Sequence, residues 1–168
     1  MICRDQNGFY AAGLGLSLVT AALVAAGFVF LSFMKITMVE RADMELHQEV
    51  DDAMRMVAAD AEESASYRLF WRSDTTQLIF KKAHEDAGGE RSVTYAVKHE
   101  GTRMKFCRSR EAALQPLTGE SEVGDVTVEE FRTEELRPGC LHVVLTGRSQ
   151  RTGHAYRQTA EFALERAR

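Results

Sequence analysis

Residues 9–34 read FYAAGLGLSLVTAALVAAGFVFLSFM, a run of 26 residues without one charged side chain. Wound as a helix at ~1.5 Å per residue, the run reaches about 39 Å. A bilayer's hydrocarbon core is ~30 Å thick, so the run spans it with some tilt to spare. Ser17, Thr20 and Ser32 are its only clearly polar residues. A helix in the core of a soluble protein keeps a polar face, and this one has none. The competing reading is a cleaved export signal, because Val24-Ala25-Ala26 would suit a signal peptidase. Cleavage there would leave the apolar tail GFVFLSFM in water, which is unfavourable. The segment is therefore expected to stay as a membrane anchor.

Working outward from the anchor, the only charged side chains before it are Arg4 and Asp5. Lys35 and Arg41 follow it, so loop charge alone does not orient the span. The 168 residues suffice for an anchor and one ordinary domain. The net charge of −4, with no basic stripe carrying interleaved aromatics, excludes an electrostatic footprint for nucleic acid. Two prolines and twelve glycines argue against a disordered tail.

From Lys35 to about Ser66 the pattern stays helical but becomes two-faced. Ile36, Val39, Leu46, Val50, Ala53 and Val57 fall at spacings of 3, 4 or 7 and form one apolar stripe. Glu40, Arg41, Asp43, Glu45, Glu49, Asp51, Asp52 and Arg55 occupy the remainder, as a solvated face would. No glycine or proline interrupts 28–87, so the anchor is expected to run on into this amphipathic half. The stripe needs cover from another element.

After Ser66 the period changes to that of strands. Residues 77–84 (QLIFKKAH) form a short strand, and 85–90, with Gly88-Gly89, a loop. Residues 92–98 place Val93, Tyr95 and Val97 on one face, and 103–108 return with Met104 and Phe106. The turn at 99–102 between them completes a β-hairpin. Residues 111–124 read as a loop, and 125–131 as a strand with Val126, Val128 and Phe131 inward. Residues 140–147 and 155–164 form a last hairpin after the Arg137-Pro138-Gly139 turn. The order predicts an α+β fold of five or six antiparallel strands, with one long N-terminal helix, transmembrane and then amphipathic, packed on the sheet. Tyr67, Phe70 and Trp71 are expected to cover the helix end as core.

That order resembles the type IV pilin and pseudopilin superfamily, and the N-terminus adds a more specific match. Members carry a short hydrophilic leader with a basic residue, ending in glycine before a phenylalanine that starts the apolar helix. Here MICRDQNG supplies Arg4 and Gly8, and Phe9 follows. The resemblance implies a leader at 1–8, cleavage after Gly8 and N-methylation of Phe9 by a prepilin peptidase, and a pilin-like fold. It implies a span at 9–34, an amphipathic continuation at 35–66 and a β-rich head at 67–168, outside the cytoplasm on the inner membrane. Residues 93–108 resemble a hairpin of minor pilins and J-type pseudopilins, with Val93, Tyr95, Val97, Gly101, Met104 and Arg108 at comparable places and Val126 and Phe131 later. Members usually hold glutamate at the fifth mature position, where this chain has Gly13, and Thr-Leu-Ile before it, where Tyr10-Ala11-Ala12 stands. A subunit without that glutamate suits a minor, initiating or tip-proximal place. The implied partners are other pilin subunits, met through the N-terminal helix in a type IV pilus or type II secretion filament. A single-pass anchored binding protein and a secreted protein starting near Gly27 are the alternatives.

Individual sites follow. A glycine before the scissile bond, as at Gly8-Phe9, lets the backbone be held extended, although any anchor can start after a glycine. Gly13 and Ser17 fit a small-xxx-small spacing for close helix packing, and ordinary tolerance of glycine in membranes explains them equally. Cys107 and Cys140 are candidates for one disulfide, closing a loop of about 33 residues and contributing roughly 3–4 kcal/mol. Two free thiols, or a metal site with His99 or His142, are the alternatives, and no Cys-x-x-Cys turns support a metal. His47, His84 and His154 read as solvated or incidental, and Asp51-Asp52 and Glu62-Glu63 as a solvated surface. No nucleophile elbow, HExxH, P-loop or GxGxxG occurs, so neither an enzyme nor a cofactor is expected.

Overall fold

The computed structural model describes residues 5–72, 75–82, 91–110, 113–120 and 124–166. The chain falls into two compact units, 1–39 and 40–168. Helix α1 (Asp5–Glu62) contributes to both and runs 58 residues without a break. It is already helical at Asp5, the first described residue, so Gly8 and Phe9 lie within helical backbone. The expected helix end near Ser66 is too late. The chain leaves the helix at Glu62, with Ser64 N–H donating to the Ala61 carbonyl and Ala65 N–H already donating to Lys81 of the sheet.

The described residues of the first unit are all helix. Its large apolar side chains from Leu14 to Ile36 are all exposed, from 39% for Met34 to 71% for Leu16. Its hydroxyls are satisfied internally: Ser17 donates to the Leu14 carbonyl, Thr20 to Leu16, and Thr37 to Met34. A hydroxyl that back-bonds to its own helix needs no partner in an apolar medium. The helix is long and apolar enough to cross a membrane.

In the second unit, residues 40–62 of α1 lie against two sheets. Strands β1 (Ser66–Arg72), β2 (Thr75–Lys82), β3 (Arg91–Glu100), β4 (Arg103–Arg110) and β5 (Ala113–Pro116) form an antiparallel meander. The short β9 (Glu165–Arg166) adds to β1 in parallel. Strands β6 (Val126–Arg137), β7 (Cys140–Ser149) and β8 (Ala155–Ala163) form a separate antiparallel sheet in the order β6-β7-β8. The α+β class therefore stands, with two corrections. Among the described residues, nine strands in two sheets replace five or six in one, and one pair is parallel.

The predicted core is largely the observed one. Leu46, Val50, Ala53 and Val57 are at most 1% exposed and pack with Val93, Tyr95, Phe106, Val126 and Val128. Ile36, from the same predicted stripe, is 55% exposed. Of the expected aromatic cover, Tyr67 is buried on β1 while Phe70 is 50% exposed. Alternation explains the split, because residues three apart on a strand face opposite sides. The Trp71 side chain lies outside the described residues.

Helix and sheet meet tightly at Gly147 of β7. A Cβ there would sit 2.7 Å from Val50 Cγ2, 3.2 Å from Leu46 Cδ1 and 3.3 Å from Val126 Cγ1. A β-branched valine on a helix has one strongly preferred rotamer and does not swing aside. Gly147→Ala is therefore expected to destabilise the head by about 1–3 kcal/mol, the usual range for overpacking. A denaturant melt that leaves the midpoint unchanged would refute this contact.

Candidate functional site

Two polar clusters join α1 to the sheets, and both were missed by the sequence reading. The first centres on Asp60, which is 3% exposed on the buried side of α1. Arg108 of β4 grips it with two hydrogen bonds, Nε to Oδ2 and Nη2 to Oδ1, each 2.8 Å. Tyr95 of β3 donates its hydroxyl to Oδ2 at 2.5 Å, and Lys82 of β2 donates to Oδ1 at 2.7 Å. Lys82 also reaches Glu63. One carboxylate thus ties the C-terminal end of α1 to three successive strands. Burial by itself would raise the Asp60 carboxyl, but the hydrogen bonds from Lys82, Tyr95 and Arg108 outweigh it and hold the group below 3.8. Burial, followed by the Asp60 carboxylate, pushes the Tyr95 hydroxyl well above its ordinary value. The four side chains bond to one another, and the cluster clamps the helix to the sheet. The signal was present: Asp60 stands seven residues after Ala53 and three after Val57, on the apolar stripe itself.

The second cluster is a zipper between α1 and the strand that ends the smaller sheet. Thr152 donates to Asp43 Oδ1 at 2.8 Å, and His154 Nδ1 lies 2.8 Å from Asp43 Oδ2. His47 stacks on Tyr156, with ring centroids 3.9 Å apart and planes at 12°. Tyr156 and Gln158 both donate to Asp51 Oδ1, at 3.0 and 2.7 Å. The helix supplies every fourth residue (43, 47, 51) and the strand every second (154, 156, 158). Four helical residues rise ~6 Å and two strand residues ~6.6 Å, so the partners stay in step. His47, His154 and Asp51 are thus engaged, where solvation was expected. The slight burial of Asp43 raises its carboxyl, but hydrogen bonds from His154 and Thr152 hold it below 3.8.

The other sequence-predicted sites are scattered. Cys107, buried in β4, and Cys140, at the start of β7, are both free, so the expected disulfide is not formed in this structure. The two stand on different sheets: Cys107 pairs with Ala96 and Pro116, and Cys140 with Arg137 and Ala163. His142 shares its sheet face with Cys140 but faces Glu161, with Nδ1 3.7 Å from Oε1. Among the described residues no group of three His, Cys, Asp or Glu is placed to hold a metal. His84 and the 85–90 loop lie outside the described residues. Gly13 meets nothing within 4 Å of a built Cβ, and Ser17 bonds to its own helix, so neither has a protein neighbour here.

Among the described residues the exposed large apolar side chains are concentrated in the first unit. No protein-family model, no curated protein and no solved structure matches this chain.

Proposed function

We propose that this chain is a minor pilin or pseudopilin, a structural subunit of a type IV pilus or type II secretion filament, placed at or near the initiating tip. The observation that supports the reading most is the single uninterrupted helix. Its first part exposes an apolar, charge-free surface, and its residues 40–62 are clamped into an α+β head. The leader-like MICRDQNG ahead of Phe9 supports it from the sequence side.

In this reading the protein works by packing and carries out no catalysis. A prepilin peptidase removes residues 1–8 and methylates Phe9. The helix waits in the inner membrane with the head outside the cytoplasm. It then leaves lipid and packs among similar helices of partner subunits, replacing lipid contacts with close helix contacts. Gly13 stands where repeating subunits carry glutamate, so this chain brings no buried carboxylate that a neighbouring terminal amine must neutralise. That suits a subunit used once per filament.

Intact-mass measurement of the protein purified from membranes tests the reading. The expected mature chain lacks Met1–Gly8 and carries one added methyl group on Phe9. A full-length chain would make it a simple single-pass anchored protein. A start near Gly27 would make it a secreted one, and either result overturns the proposal.

A further inference from the structure

A shallow groove of about 290 Å³ lies between α1 and β8, walled by the apolar side chains of Met54, Ala58 and Ala160. Asp51 is the first helical residue along it. Other acidic side chains of this part of α1 each face a basic one. Asp43 faces His154, Glu45 faces Arg41, Asp52 faces Arg55, and Asp60 faces Lys82 and Arg108. Asp51 is held differently. Its two bonds come from neutral donors, the Tyr156 hydroxyl and the Gln158 amide, and both end on Oδ1. Among the described residues nothing donates to its Oδ2.

The two nearest arginines in sequence are turned elsewhere. Arg55 stands four residues after Asp51, the usual spacing for a helical ion pair, but it is bonded to Asp52 at 2.8 Å. Arg157 precedes Gln158 on β8 and so points to the opposite side of the strand. A carboxylate fixed by two neutral donors, with one oxygen left over beside an apolar trough, suits a cation carried on an aliphatic stem. We propose that the groove receives a lysine side chain of a partner chain, its ammonium on Asp51 Oδ2 and its methylenes along Met54, Ala58 and Ala160.

Arginine fits this place less well. Its planar fork needs both oxygens of a carboxylate side by side, and Oδ1 already accepts two bonds. An ammonium is a point charge and needs one oxygen. Its other protons meet further acceptors here. The Thr159 hydroxyl lines the groove, and among the described residues no strand pairs with the free side of β8, so alternate carbonyls on that side are open. All of these residues belong to the second unit, so the site stands apart from the filament reading of the first.

The probe is lysine blocked at both ends, Nα-acetyl-lysine methylamide, titrated at low salt into the full chain in detergent micelles. The methyl groups of Ala58 and Ala160, followed by NMR, are expected to shift saturably with a millimolar midpoint. Asp51→Asn keeps the shape and removes the charge, and should weaken binding about fivefold, the upper size of an exposed ion pair. Ala58→Leu fills the groove, leaves Asp51 in place and should abolish binding. On the unaltered chain, the Nε-acetylated probe and the matching arginine compound should bind several-fold more weakly. That comparison decides the charge requirement even where a substitution disturbs the fold. Absence of saturable shifts, an unchanged midpoint in Asp51→Asn, or equal binding of the acetylated or arginine probe would overturn the site. Tighter binding of unblocked lysine would make the ligand a free amino acid and overturn the choice of a partner chain. The mature mass reports on the filament reading independently of all these results.

Discussion

Asp60→Ala should destabilise the head by about 3–5 kcal/mol, the range for removing one member of a buried charged cluster. The carboxylate is 4% exposed while Lys82 and Arg108 are 13% and 23% exposed at their side chains. Removing it leaves two largely desolvated cations, with only Glu63 near Lys82. The Tyr95 hydroxyl, buried in the core, loses its acceptor too. A urea melt of the full chain in detergent measures the change. A loss below about 1 kcal/mol would mean that the cluster is as dispensable as an exposed ion pair.

The same clamp fixes an acid dependence. The folded-state value of Asp60 is lowered, so its contribution is complete above 3.8 and fades as the pH falls from there through the folded value. Asp43 acts in the same direction. The wild-type head should therefore lose stability below about pH 4, and Asp60→Asn, which cannot ionise, should flatten that part of the curve. Parallel curves for the two proteins would remove Asp60 from the acid response.

The second large effect is expected at Phe106. It is wholly buried on β4, with its ring 5.6 Å from Tyr95 and 4.8 Å from Phe131. Phe131 belongs to β6, so this side chain bridges the two sheets. Phe106→Ala should cost about 3–5 kcal/mol, through lost transfer energy and the cavity left behind. Phe106→Leu keeps most of the volume and should cost markedly less. Equal losses for the two variants would show that the aromatic contacts, and not the filled space, are what matters.

How far the sequence reached depended on the kind of signal. The uncharged run at 9–34 and the 3–4–7 spacing of Leu46, Val50, Ala53 and Val57 are local patterns, and local patterns are legible. So was the β3–β4 hairpin, whose turn holds Gly101 at φ 63°, a conformation that glycine adopts without strain. β1 was lost because SYRLFWR follows a helix directly and mixes inward Tyr67 with outward Phe70. The two-sheet division was not legible, because pairing of β1 with β9 joins residues about a hundred positions apart. Both polar clusters failed for that reason as well. The place of Asp60 on the apolar stripe was legible, but its partners were not, because Tyr95 and Arg108 are brought to it from far along the chain. His154 looks solvated until Asp43 arrives.

The internal bonding of Ser17, Thr20 and Thr37 has a further consequence. Because these hydroxyls already hold acceptors on their own backbone, moving that stretch from oil to a protein surround neither breaks nor makes a hydrogen bond. These hydroxyls then set no rotational preference of the rod, whose exposed surface varies only in bulk, from Gly13, Gly15 and Gly27 to Phe28, Phe30 and Phe33.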